Sequence, residues 1–288
     1  MSGENGDRPS AGEPTPLRLG GMALRNGLLI HGPTSWAAAA RAADGSIQVV
    51  AGRKPTLGNT RVGKIPGVRG PLRMAEAMAV VPIARIRLRS VRLPFEDPRV
   101  LVAAAASMAL GAVGRRWVAR SGSTKGAAAR EGALSLLGML PAVAALRDRD
   151  LAAYHGVEHK AIGAYEKGSR DPSDAPKEHD RCGSNLIVPL LVFSAAGQAA
   201  IERLFTRPGP VVRAAASTGA MSAAVEVFAY ADRKPGSALG RGVHAVGHEI
   251  QRVLSTREPT PEQIEVGVAA LDAVLAEEEA AGEPAAGK

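Results

Sequence analysis

Two histidines and a glutamate stand in the stretch YHGVEHKAIGAYE at residues 154–166. On a helix, His155 and His159 would project from one face, because positions four residues apart lie one turn apart, and they could share one tetrahedral cation. Glu158 precedes the second histidine, which gives the H-x-x-E-H order of the inverted zincins. In that order the carboxylate is a general base for the attacking water. A solvated polar helix face has the same spacing, so the pattern alone leaves both interpretations open.

Further candidate ligands stand close by. Glu166 lies seven residues beyond the second histidine and could return to the same helix face. His179 and Cys182 stand in HDRCGSN, residues 179–185, and a histidine and a cysteine at this spacing suit a borderline cation such as Zn²⁺. Arg181 would stabilise a thiolate or a developing negative charge. The alternatives are a small buried residue at Cys182 and a carboxylate partner within the loop for Arg181.

A second histidine pair occurs in VHAVGHEIQ, again four residues apart. His244 and His248 are followed by Glu249, but no further group of candidate ligands accompanies them. We therefore interpret this pair as part of a helix surface.

The N-terminal part of the chain predicts a small β-rich unit over residues 17–70. Short apolar runs alternate there with glycine-rich turns, and Asp44 with Gly45 is a good hairpin turn because glycine tolerates a positive φ. An amphipathic helix over residues 72–88 follows and leads into an arginine-rich segment. The acidic, Gly- and Pro-containing residues 1–16 are typical of a disordered leader and not of a signal peptide.

The C-terminal part predicts an amphipathic helix within residues 256–277. Thr260 can cap it, Pro261 suits its first turn, and Gln263 stands where a capping box requires it. Residues 278–288 are predicted to be a disordered tail.

About four apolar segments lie between these two parts, in a region (71–255) that we predict to be a mainly α-helical membrane domain. They cover residues 100–114, 132–146, 183–201 and 214–231. Only the third is comfortably long, because a helix needs roughly 20 residues to cross the hydrocarbon core of a bilayer. Flanking arginines could extend the shorter ones. A soluble bundle with alanine-rich buried helices is the alternative.

Charge and composition narrow the partners and the location. The formal net charge is +8, but the arginines are scattered without interleaved aromatic residues, so nucleic acid is not expected as a partner. The expected partner is membrane lipid. The single cysteine excludes an intramolecular disulfide.

If all four segments cross, the arginine-rich flank places both termini and the loop over 147–183 in the cytoplasm. The basic connection between the first two segments departs from that rule.

Three motifs together resemble the YqhQ-like family of bacterial multi-pass membrane proteins, which is described as a domain of unknown function and a predicted metal-dependent enzyme. They are YHGVEHKAIGAYE, HDRCGSN and TREPTPEQIEVGVAAL, in the family's order. The resemblance implies a cell-membrane protein with several spans. Its N-terminal glycine motif is only partly kept, since Met22 and Asn26 replace a glutamine and a glutamate. His31 could restore one ligand.

These observations predict a membrane protein with a divalent metal, Zn²⁺ fitting best, held by His155 and His159 with help from His179, Cys182 or Glu166. Metal-assisted hydrolysis would use Glu158 as the general base and Arg181 to stabilise negative charge. One alternative is a non-catalytic scaffold that binds a protein partner through its β-rich unit or C-terminal helix, with a structural metal or none. Another is a cysteine enzyme that uses Cys182 and His179.

Overall fold

The computed structural model describes residues 16–55, 69–121, 133–134, 136–138, 140–205 and 208–282, and within these ranges the chain is mainly helical. The strands are β1 (Gly20–Leu24), β2 (Gly27–His31), β3 (Ser35–Arg41) and β4 (Ile47–Arg53). The helices are α1 (Arg69–Arg87), α2 (Pro98–Ser121), α3 (Leu140–Leu146), α4 (Arg149–Glu166), α5 (Ile187–Leu204), α6 (Pro210–Arg233), α7 (Ala238–Ile250) and α8 (Pro261–Gly282). Short helical turns at Pro94–Glu96, Gly183–Leu186 and Gln251–Ser255 complete the set. Most of the predicted leader and the last residues of the predicted tail lie outside the described residues.

The predicted β-rich unit is confirmed as a four-stranded antiparallel sheet with the order β1-β2-β3-β4. The hairpin between β3 and β4 turns where the sequence indicated, and Gly45 has a φ of 85° there. The Asp44 carboxylate accepts a hydrogen bond from the Ser46 amide at 3.0 Å, which closes the turn.

Helices cover both faces of this sheet. Leu28 and Ile30 of β2 face a core that α4 and α8 complete with Val157 and Val266. The opposite face carries Leu29, Trp36 and Ala38 and packs on Val80 and Ala84 of α1. The four consecutive alanines of β3 are fully buried, and their small side chains let helices approach from both sides.

The C-terminal helix α8 is the element that joins the sheet to α4. Thr260 and Gln263 form the predicted capping box, since the Thr260 amide donates to Oε1 of Gln263 at 3.0 Å and the Gln263 amide donates to Oγ1 of Thr260 at 3.4 Å. A Cβ at Gly267 would lie 2.3 Å from Cγ1 of Val157, so a glycine is needed for the close packing of α8 on α4.

The prediction of about four membrane segments is corrected. Within the described part of the chain, two helical stretches are long and apolar enough to span a membrane, Gly183–Ile201 and Pro210–Arg233. Pro98–Gly114 is apolar but shorter. In the segment predicted over 132–146, residues 133–134 and 136–137 are also helical, and the longest continuous helix among the described residues is Leu140–Leu146. Only 22% and 11% of the residues in the two longer apolar windows are buried. Their surfaces are therefore largely open, unlike those of a helix in the core of a soluble protein.

Candidate metal centre

Helix α4 carries the H-x-x-E-H residues, and its first turn is fixed by a cap. One carboxylate oxygen of Asp148 accepts hydrogen bonds from the amides of Asp150 and Leu151 at 3.0 and 3.3 Å. The other oxygen accepts from Nε of Arg25 at 2.7 Å, which ties the cap to the hairpin between β1 and β2. The cap therefore holds the start of α4 against the sheet.

Both histidines of α4 are oriented by backbone carbonyls. Nδ1 of His159 lies 2.6 Å from the carbonyl oxygen of Lys177, and Nδ1 of His155 lies 2.8 Å from that of Ser255. A carbonyl oxygen only accepts, so each Nδ1 carries the proton and each Nε2 keeps a bare lone pair. This is the arrangement by which proteins orient histidine ligands of metals.

The two bare nitrogens converge with the thiol of Cys182. Nε2 of His155 lies 3.4 Å from Sγ of Cys182, and the ligand atoms of Cys182, His155 and His159 all lie within 4.8 Å of one another. Nε2 of His159 is buried and has no hydrogen-bond partner within the described residues. Two imidazoles and a thiol are a ligand set for Zn²⁺, whose ligands in a tetrahedral site lie roughly 3.5 Å apart. The residues present therefore fit a cation of this kind.

Burial sets the protonation of two of the three groups, His159 and Cys182. Burial lowers the pKa of His159 to about 2, so its imidazole is neutral at physiological pH. Burial raises the pKa of the Cys182 thiol, so the thiolate needs a nearby cation to form.

Glu158 lies beside the histidine nitrogens. Its Oε2 atom is 3.5 Å from Nε2 of His159 and 4.0 Å from Nε2 of His155. Burial also raises the pKa of this carboxyl, and within the described residues no N–H or O–H group donates a hydrogen bond to it. A Cβ at Gly21 would lie 2.6 Å from Cγ of Glu158, so the glycine of β1 makes room for this side chain.

Three of the predicted site residues form a neighbouring group. Nε2 of His179 lies 3.1 Å from Oε2 of Glu166, while Nδ1 of His179 accepts from the Arg181 amide at 3.2 Å. The Arg181 guanidinium donates to the other oxygen of Glu166. The structure therefore places His179 and Glu166 beside the cluster of bare ligand atoms and not in it. Arg181 has its carboxylate partner on α4 and not within its own loop.

The structure brings Cys182 to His155 and not to His179. Both nitrogens of His179 are engaged by Glu166 and Arg181. The contact that a cysteine enzyme using Cys182 and His179 would need is therefore not formed.

The loop that carries Cys182 is held by Gln251, which sequence reasoning missed. Its Oε1 accepts from the His179 amide at 2.7 Å, and its Nε2 donates to the His179 carbonyl at 3.1 Å and to Oγ of Ser184 at 2.9 Å. Gln251 is fully buried. Gln251 directly follows α7, and its place in the sequence carries no sign of this role.

The Ser255 carbonyl, which orients His155, lies close to α4 because Gly156 of that helix has no side chain. The Arg257 amide donates to the carbonyl oxygen of Ala152 at 2.9 Å, so residues 255–257 run along α4. A Cβ at Gly156 would lie 2.3 Å from the Arg257 carbonyl oxygen. This approach places the Ser255 carbonyl opposite His155, and neither contact has a side-chain signature in the sequence.

The second histidine pair is only partly a helix surface. His248 is exposed over 41% of its side chain, but His244 is buried. Asp180 Oδ1 lies 2.8 Å from Nε2 of His248 and 3.6 Å from Nδ1 of His244. The pair therefore faces a carboxylate of the loop that carries Cys182.

A cavity of about 210 Å³ opens next to the cluster. Its lining comprises Leu19, Gly20, Gly21, His31, His155, Glu158, His159, Ile162, His179, Arg181, Cys182 and Gly183. His31 therefore lines the cavity without joining the three converging ligand atoms. Burial and then the charge of Lys54 lower the pKa of His31 to about 4, so it is neutral at physiological pH.

The two residues that depart from the resembled glycine motif lie away from the cavity. Met22 packs against the cluster on the α1 side of the sheet. Asn26 fastens the hairpin, since its side chain donates to the Ser90 carbonyl at 2.8 Å and accepts from the Arg92 amide at 2.9 Å. Both positions support the fold and supply no group to the site.

These features define a mainly helical protein with a sheet-supported candidate metal centre of two histidines and one cysteine. The family model described as Protein of unknown function (DUF1385) matches residues 132–277, and the chain belongs to this family. The match includes all three converging ligands, both long apolar helices and α8 as far as residue 277, while the sheet precedes it. No curated protein and no solved structure matches the chain.

Proposed function

We propose that the protein is a membrane-bound, metal-dependent hydrolase of the YqhQ-like type, with the metal held by His155, His159 and Cys182. The observation that carries the proposal is the bare Nε2 of His159, which is buried without a partner and lies beside two other ligand atoms. A buried polar atom without a partner destabilises the fold, and among such atoms in the described residues Nε2 of His159 is the one that belongs to the cluster of three ligand atoms.

A divalent cation bound there, Zn²⁺ being the best match to the ligands, would polarise a substrate oxygen and activate water. Three protein ligands support a catalytic role, because a catalytic zinc site keeps a fourth position for water or substrate.

The chain's own residues supply the acid–base chemistry. The Glu158 carboxylate, 3.5 Å from Nε2 of His159, accepts a proton from the attacking water. The Arg181 guanidinium, at the cavity wall, stabilises the negative charge that develops on the substrate. Glu166 holds that guanidinium in place through its hydrogen bond to Arg181.

The membrane assignment rests on the two long apolar helices. Cys182 directly precedes the apolar stretch Gly183–Ile201, so the site lies at the polar end of a candidate span. Lipid is the partner of the open apolar surfaces in this proposal, with multi-pass insertion and both termini in the cytoplasm.

Metal analysis of purified protein tests the hydrolase. We expect one equivalent of metal in the wild type, loss of that metal in His159→Ala, and retention in His248→Ala, whose Nε2 faces Asp180 outside the cluster. Glu158→Gln should keep the metal but fail to complement a deletion strain, because an amide cannot accept the proton. Metal-free wild type, or full complementation by Glu158→Gln, would defeat the proposal.

One observation favours a second candidate, a non-catalytic scaffold with a structural metal. The distances of 3.5 and 4.0 Å from Oε2 of Glu158 to the two bare nitrogens also suit neighbouring ligands of one ion. Glu158 would then close the site, and the sheet or α8 would bind a protein partner. In that case Glu158→Gln lowers the metal content and the thermal midpoint together, whereas a general base leaves both nearly unchanged.

A further inference from the structure

The first strand of the sheet has an open edge, because β1 pairs only with β2. The hydrogen-bonding pattern of the sheet determines which backbone groups of β1 point away from β2. The Arg41 amide donates to the Asn26 carbonyl at 2.8 Å, so the even-numbered residues at 26 and 28 turn their backbone groups toward β3. The odd-numbered residues of β2 then face β1 and bond its even-numbered residues. Gly21 and Ala23 therefore direct both N–H and C=O away from the sheet.

Both ends of this open edge are engaged by other parts of the chain. Beyond Ala23, the Arg25 amide donates to the Arg92 carbonyl at 2.9 Å. Before Gly21, the Leu19 carbonyl accepts from the Arg181 guanidinium at 3.4 Å. Between these two contacts, the backbone groups of Gly21 and Ala23 have no hydrogen-bond partner among the described residues. Gly21 is half-buried and Ala23 is only 9% exposed, so an added segment would have to fit closely between these two contacts.

The cavity of the candidate metal centre reaches this edge. Glu158 approaches Gly21 from the α4 side of the sheet. His31 is two residues from Leu29 on β2, so the two side chains lie on the same face of the sheet. Leu29 faces α1, and His31 therefore lies on the α1 side. Both side chains line the same cavity. The cavity therefore passes around the edge of β1 at Gly20 and Gly21, which have no side chains of their own and are flanked by His31 and Glu158.

We infer that the substrate is a peptide in extended conformation that adds to β1 as a further strand, an inference that rests on the proposed hydrolase function. Such a peptide would bond the free N–H and C=O groups of Gly21 and Ala23, which places its backbone beside Glu158 and the ligand cluster. In hydrolysis the water oxygen bonds to the peptide carbonyl carbon and the C–N bond breaks. Glu158 passes one proton of the water to the leaving nitrogen and the other stays on the new carboxyl group, which gives a carboxylic acid and an amine.

Two hydroxamates of different length test the inference on the zinc-loaded, full-length protein in detergent. Acetohydroxamate carries only the chelating group, and N-acetyl-trialanine hydroxamate adds a peptide backbone to the same group. We expect the peptide hydroxamate to bind at least about tenfold more tightly, since two added backbone hydrogen bonds contribute roughly that factor.

Proline variants locate the source of that gain. Ala23→Pro removes an outward N–H from β1 at a position where an edge strand tolerates proline, so it should remove the gain and leave acetohydroxamate binding unchanged. Val49→Pro is the control on the opposite edge, at a position that is 44% exposed where Ala23 is buried. The Ala42 amide donates to the Ser46 carbonyl at 2.8 Å, so even-numbered residues of β4 face β3 and Val49 faces outward on the opposite edge. This variant should retain the full gain.

The outcomes separate the two proposals. Equal binding of the two hydroxamates by wild type, or an undiminished gain in Ala23→Pro, overturns peptide addition to β1 while the hydrolase stands. A zinc-loaded protein that binds neither compound overturns the hydrolase itself. If Ala23→Pro fails to fold, hydrogen exchange in wild type decides: the peptide hydroxamate must slow exchange of the Gly21 and Ala23 amides, and unchanged rates refute the inference.

Discussion

Sγ of Cys182 lies 3.4 Å from Nε2 of His155, although 27 residues separate them in the chain. Two independent anchors produce this contact. The Ser255 carbonyl turns the imidazole of His155, and Gln251 holds the loop on either side of Cys182 through His179 and Ser184. A thiol and a bare imidazole nitrogen held this way are prepared for a cation before it binds.

Replacement of Cys182 by serine should change the spectrum of the cobalt-loaded protein. Co²⁺ occupies zinc sites, and a thiolate ligand gives it an intense charge-transfer absorption that a hydroxyl does not give. The chain has one cysteine, so no other thiol can supply the band. We expect the band in wild type and its loss in Cys182→Ser, with weaker binding of the metal. A band that is absent from wild type would remove Cys182 from the ligand set.

Two glycines of α4 make a matched test of the orienting carbonyl. An alanine at Gly156 would place Cβ 2.3 Å from the Arg257 carbonyl oxygen and push residues 255–257 away from His155, whereas at Gly163 the nearest atom is Cδ2 of His179 at 3.8 Å. Gly156→Ala should therefore lower both the thermal midpoint and the metal affinity. Gly163→Ala should stabilise the helix by up to about 1 kcal/mol and keep the affinity. Titration of both variants with Zn²⁺ measures the difference, and equal affinities would contradict the role of the Ser255 carbonyl.

The stability of the metal-free protein should depend on His31 at acidic pH. Its pKa falls from the ordinary 6.5 to about 4 in the fold, because burial and Lys54 disfavour its charged form. Between these values the unfolded chain takes up a proton that the folded protein refuses, so stability decreases as pH falls from 6.5 toward 4. The loss is about 1.4 kcal/mol per pH unit for this group.

His31→Gln is the variant that measures this contribution. Its free energy of unfolding should decline less steeply than that of wild type between pH 6.5 and 4, by denaturant titration of chelator-treated protein in detergent. The two proteins should run parallel above pH 7, where His31 is neutral in both states. If the free energy of unfolding has the same pH dependence in both proteins below pH 6.5, His31 is not buried from solvent as the structure describes.

Sequence reasoning identified the parts of the site that depend on local spacing. His155 and His159 share a helix face because four residues make about one turn, and Thr260 with Gln263 forms a capping box for the same local reason. The convergence of Cys182 was expected from residue type, because a thiol near two histidines suits one cation. The separation of His179 from the cluster was not expected, since it depends on Glu166 and Arg181 meeting in three dimensions.

The remaining features carry no side-chain signal. The Lys177 and Ser255 carbonyls orient the histidines, but every residue has a carbonyl and only the path of the chain selects these two. The prediction of about four membrane segments overestimated the number because composition alone does not report helix length. The apolar stretch Pro98–Gly114, for example, is shorter than a span. Met22 and Asn26 seemed to be lost site groups because sequence position does not reveal which face of a strand or turn a side chain occupies.

A charge in the middle of the apolar stretch Gly183–Ile201 tests whether that helix lies in lipid. Val192 is 58% exposed near the centre of Gly183–Ile201, and Val49 is 44% exposed on β4. An aspartate at the centre of a membrane span costs roughly 3 kcal/mol for insertion, whereas at a water-exposed surface it changes stability by less than about 0.5 kcal/mol. We therefore expect Val192→Asp to reduce the carbonate-resistant membrane fraction strongly and Val49→Asp to leave it at the wild-type level. If Val192→Asp instead fractionates as wild type does, the open surface of α5 faces water, and the membrane assignment fails while the metal centre is unaffected.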